Sequence, residues 1–97
     1  MTVTIGVLHV ALLLPSETLK EKRAIVKSVV ERLRGRFNAS VAEADALDDP
    51  RRAVLVAACV SNDPRHADQQ VQVIARTIEE WRLDAEVETL ATERIAL

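Results

Sequence analysis

The chain contains no tyrosine, and its only aromatic side chains are Phe37 and Trp81. Proteins that read single-stranded RNA on a sheet face stack its bases on aromatic side chains, so this composition argues against that mode. A single cysteine, Cys59, leaves no internal disulfide. Its place inside the apolar run from Val54 to Val60 marks it as a small buried hydrophobe rather than a nucleophile. There are two glycines, no Gly-rich phosphate loop and no nucleophile-elbow pattern. His9 and His66 have neither a cysteine nor another histidine at metal-ligand spacing. Asp45, Asp48 and Asp49 read as a polar turn more readily than as a cation site. No catalytic constellation emerges, so no enzyme, cofactor or metal is expected.

No basic residue precedes Lys20, so the apolar stretch Val3 to Leu14 lacks the basic start of a signal peptide. It is also too short to span a bilayer. It reads as a buried strand of a cytoplasmic protein. The 97 residues, 48% apolar and 29% charged, fit one globular domain with a single core.

Local signals give an element order. Val3 to Leu14 is a strand closed by Pro15. Thr18 and Glu21 stand at capping-box spacing, which starts a helix at Leu19, and Gly35 lies near its end. Phe37 to Ala44 alternates as a second strand, and Leu47 to Arg52 is a turn. Ala53 to Val60 is a third strand. Asp63 as N-cap and Pro64 at the first position open a second helix, whose apolar face is Ala67, Val71, Ile74, Ile78 and Trp81. Asp84 to Leu97 is the last strand, with Glu86, Glu88 and Glu93 marking a sheet edge. The order βαββαβ predicts a ferredoxin-like α+β sandwich: a four-stranded antiparallel sheet with both helices on one face.

That architecture leaves one sheet face open, yet the first and third strands are apolar on both parities. A sheet with one wet face should alternate apolar and polar residues. The open face is therefore expected to be covered by a second copy of the chain, through Ile5, Val7, His9, Ala11, Leu13, Leu55, Ala57 and Cys59.

What the chain does have is clustered positive charge. Between Thr18 and Asn38 there are seven basic and two acidic residues, while the remainder holds six basic and thirteen acidic ones. At about 100° per residue, Lys20, Arg23, Lys27 and Arg34 form a stripe roughly 20 Å long beside the apolar arc of the first helix. Lys22 and Arg36 project within the apolar arc, with stems over the core rim and heads extending to water. Arg32 lies on another side. A stripe of this kind can follow the phosphates of a nucleic-acid backbone. The plainer reading is a solvated helix face, with Glu31 pairing to Lys27 or Arg34.

Leu19-Lys20-Glu21-Lys22-Arg23, Lys27-Ser28, Arg32-Leu33, Arg36-Phe37-Asn38, Ser40-Val41-Ala42-Glu43 and Val60-Ser61-Asn62-Asp63 together resemble the YlxP-like family of small bacterial proteins, a domain of unknown function. The resemblance runs along essentially the whole chain. It implies a ferredoxin-like fold and, from the family's usual gene neighbours, a ribosome-associated or RNA-binding role without catalysis. The sequence departs from the family pattern at Pro50, where a tryptophan is usual. It departs again at Ala11 and Leu13, where polar residues are common, which makes the open sheet face greasier.

Two functions are thus expected of this sequence. The first is a non-enzymatic RNA- or ribosome-binding module acting in ribosome maturation or translation, through Lys20, Lys22, Arg23, Lys27, Arg32, Arg34 and Arg36, with ribosomal RNA or a ribosomal subunit as partner. The alternative is a dimeric protein-interaction or small-ligand module that works through the open sheet face.

Overall fold

The computed structural model describes residues 3–81 and 85–97. Its elements follow the order β1 (Thr4–Leu13), α1 (Leu19–Arg36), β2 (Ser40–Asp45), β3 (Arg52–Ser61), α2 (Pro64–Glu80) and β4 (Glu86–Ala96). The strands form one antiparallel sheet in the order β2-β3-β1-β4. This is the ferredoxin-like α+β sandwich. Asp84, expected at the start of the last strand, lies outside the described residues.

Both helix starts are chemical. The Thr18 hydroxyl accepts from the Glu21 N–H at 3.1 Å, and the Glu21 carboxylate reaches back to the Glu17 N–H at 3.1 Å. The Asp63 carboxylate accepts from the Arg65 N–H at 2.9 Å, with Pro64 in the first turn where its missing N–H costs nothing. The end of α1 differs from expectation. Gly35 stays helical, and the helix closes on extended Phe37, whose N–H donates to the Leu33 carbonyl. Phe37 therefore caps α1 instead of opening β2. An added Cβ at Gly35 would meet nothing within 4 Å. Gly35→Ala is accordingly expected to raise stability by about 0.5–1 kcal/mol in chemical denaturation, since it removes backbone freedom only from the unfolded chain. An unchanged or lower midpoint would contradict the helical assignment of this position.

The core lies between the sheet and the two helices. Leu8, Val10 and Leu12 of β1 and Leu55, Ala57 and Cys59 of β3 meet Val26, Val29 and Leu33 of α1 and Val71, Ile74 and Ile78 of α2. Odd-numbered residues of β1 pair with even-numbered residues of β3, for example Val7 with Ala58 and His9 with Val56. This register corrects one expectation. Leu55, Ala57 and Cys59 face the helices and are almost fully buried, so they take no part in the open face. On β3 that face belongs instead to Val54, Val56, Ala58 and Val60. Burial also pushes the Cys59 thiol above its ordinary pKa, which keeps it protonated and unreactive.

Both edges of the sheet carry irregularities. The pairing of β1 with β4 shifts register between His9 and Val10, and that of β2 with β3 between Glu43 and Asp45. Leu90 and Ala44 are the extra residues, so each edge strand bends at a bulge.

Candidate nucleic-acid interface

Helix α1 packs with Val26, Val29, Val30 and Leu33 buried and Leu19 and Ile25 half-buried, as its spacing requires. Its basic residues divide three ways. Lys20, Arg23, Lys27 and Arg34 lie on the outer side and are all exposed. Lys27 meets Glu31 at 4.0 Å, one turn on, in a pair open to water that screens little of its charge. One guanidinium nitrogen of Arg34 donates to the Val41 carbonyl at 2.7 Å. That bond fixes the side chain against β2 and leaves its other donors available.

Arg32 and Arg36 are exposed but lie against aromatic rings. The Arg32 guanidinium carbon sits 4.0 Å from the Trp81 ring centroid, and that of Arg36 sits 5.7 Å from Phe37. The Arg32 geometry is a cation–π stack that holds the guanidinium without discharging it. Trp81, which caps the end of α2, thus reaches the basic helix although it was expected only in the core.

Lys22 is the exception and a correction. It is fully buried, and its head does not reach water. Its ammonium donates to the Ala46 carbonyl and lies 2.9 Å from Glu43 Oε2. The approach to Glu43 is off the hydrogen-bond axis, so Coulomb attraction rather than a directional bond joins the pair. Ala46 has a left-handed backbone (φ 58°), uncommon for a residue with a Cβ, and its carbonyl also accepts from the Asp49 N–H. Lys22 therefore anchors α1 to the β2–β3 turn and cannot contact a polyanion. Glu43, its partner, stands in the sequence reading only as part of the Ser40-Val41-Ala42-Glu43 motif, with no role of its own. The signal was present: Glu43 shares parity with buried Val41 on β2, which places its carboxylate on the helix side.

The opposite side of the sheet carries the expected face residues of β1. Ile5, Val7 and His9 are half-buried, Ala11 is buried and Leu13 is 49% exposed. His9 Nε2 lies 3.5 Å from Glu93 Oε1 on β4. This face and the basic helix are on opposite sides of the molecule, so no single flat partner touches both. Among the described residues, no group of three or more His, Cys, Asp or Glu is placed to hold a metal ion. Among the same residues, no helix is long and apolar enough to cross a membrane.

Comparison with curated proteins gives no match. Residues 5–94 match the model of the family described as Protein of unknown function (DUF503), and the chain belongs to that family.

Proposed function

We propose that this protein is a non-enzymatic RNA- or ribosome-associated protein of the YlxP-like type, working in the cytoplasm in ribosome maturation or translation, and that it binds through the outer side of α1. The observation that carries the reading is the sorting of charge on that helix. Lys20, Arg23, Lys27 and Arg34 share an exposed strip, while Lys22 spends its charge inward on Glu43. Arg34 is held by the Val41 carbonyl and Arg32 by the Trp81 ring, so two guanidinium groups are positioned before any ligand arrives. The acids Glu86, Glu88 and Glu93 collect on the far edge strand, β4. Ordered cations on one strip suit a phosphate backbone recognised by shape and charge.

The test is co-sedimentation with ribosomal subunits and binding to structured ribosomal RNA across a salt series. About four phosphate contacts give a slope of log K against log salt near −3. The triple variant Lys20→Glu, Arg23→Glu, Lys27→Glu is expected to bind at least about 100-fold more weakly and to flatten that slope by roughly 2. All three side chains are exposed, so its unfolding midpoint should stay close to that of the parent. Affinity insensitive to salt, or unchanged in the folded triple variant, would overturn the reading.

A further inference from the structure

The side of the sheet away from the helices is apolar across its two central strands. Ile5, Val7 and Leu13 on β1 lie beside Val56, Ala58 and Val60 on β3, and among these Leu13 and Val60 are 49% and 68% exposed. Exposed Ile95 of β4 pairs with Ile5 and extends the patch. Charge on this side comes from His9 of β1, Arg52 at the end of β3, Asp45 at the end of β2, and Glu86, Glu88 and Glu93 along β4. We infer that this face is the seat of a second copy of the same chain, so that the working unit is a sheet-to-sheet homodimer.

Three observations favour that occupant. The first is size. Four strands, with central ones of ten residues, give a face of about 33 by 19 Å, so pairing two copies buries on the order of 1,200 Å². That reaches the lower limit for a stable, specific interface. The second is the state of the edges. β4 carries Glu86, Glu88 and Glu93 and a bulge at Leu90, and β2 is short and bulged at Ala44. Both are obstacles to a second copy adding edge to edge, whereas the central strands β1 and β3 carry only His9 and Arg52 as ionisable side chains on the open face.

The third is the distribution of charge along the strands. Arg52, Leu13 and Glu86 are register partners across β3, β1 and β4 at one end of the sheet. A two-fold axis running along the strands between β1 and β3 keeps like ends together. It lays β1 of each copy over β3 of the other and brings Arg52 within reach of Glu86 of the second copy. An axis across the strands would set Arg52 on the apolar end around Val60. The first arrangement brings Arg52 to Glu86, and the second leaves Arg52 without an acid, so the axis lies along the strands.

Sedimentation equilibrium on the full chain at micromolar concentration tests this. The parent is expected at twice the 10.7 kDa chain mass. Val56→Glu, at the centre of the patch, should weaken dimerisation by on the order of 100-fold or more, because its carboxylate would be desolvated in the interface. Val60→Glu, at a site already 68% exposed in the single chain, separates loss of association from loss of fold. It is expected to weaken association with an unchanged unfolding midpoint. Arg52→Glu should also weaken the dimer, and adding Glu86→Arg should restore it. A parent that stays monomeric at high micromolar concentration would overturn the proposal and leave the face to a different protein. So would folded Val56→Glu and Val60→Glu variants that remain dimers. Failure of Arg52→Glu with Glu86→Arg to recover would overturn the choice of axis.

Discussion

Replacing Lys22 by methionine is expected to lower the free energy of unfolding by about 3–5 kcal/mol, read as a shift of the urea midpoint. The ammonium it removes is fully buried against a Glu43 side chain that is 17% exposed. Methionine fills similar volume, so the loss comes from electrostatics rather than from a cavity. The Glu43 carboxylate keeps its desolvation cost and loses the cation that offset it. The Ala46 carbonyl retains the Asp49 N–H, so the turn keeps one of its two donors. For a domain whose total stability is of order 5–15 kcal/mol, the variant is expected to be marginal or unfolded at 37 °C. The double variant Lys22→Met, Glu43→Leu should recover most of the loss, because deleting both members of a buried pair is often neutral. A single variant within about 1 kcal/mol of the parent would mean that the pair is hydrated and that Lys22 is not an anchor.

Gly6→Ala is expected to cost about 1–3 kcal/mol, lowering the melting temperature by roughly 10 °C in a domain of this size. Gly6 lies on the helix side of β1, directly against α2. A Cβ there would sit 2.8 Å from Val71 Cγ2 and 2.9 Å from the Ala67 carbonyl oxygen. The valine methyl can rotate away. The carbonyl belongs to helix backbone and moves only if α2 moves. Val71→Ala is therefore expected to rescue Gly6→Ala only in part, since it relieves one of the two contacts and opens space of its own. An unchanged melting temperature would show that α2 shifts freely on the sheet and that the close approach is not fixed by packing.

Local chemistry was legible from sequence, and partnership between distant segments was not. Thr18 and Asp63 announced their helices because a cap needs only residues within one turn. Val26, Val29 and Leu33 announced a buried face because their spacing is set by the helix itself. The parity of β3 was hidden because Ala53 to Val60 is apolar at every position, and a register shift of one residue leaves such a pattern unchanged. That is why Leu55, Ala57 and Cys59 were expected on the open face that Val56, Ala58 and Val60 form instead. Lys22 was misplaced for a related reason. Its helical angle pointed to the core, but a lysine is buried only where an acid waits, and Glu43 comes from a strand 21 positions later in the chain. Arg32 on Trp81 and Arg34 on the Val41 carbonyl likewise depend on contacts that no single element encodes.

The placement of both helices on one side of the sheet has a consequence for valency. If two copies meet through their open faces, the layers run helix, sheet, sheet, helix, with layers about 10 Å apart and the two sets of helices on the order of 30 Å from one another. The two α1 strips then point in opposite directions. Such a dimer cannot close around one phosphate backbone like a clamp. It can grip two separate stretches of a folded polyanion at once, and its avidity would depend on how far apart those stretches lie in the target.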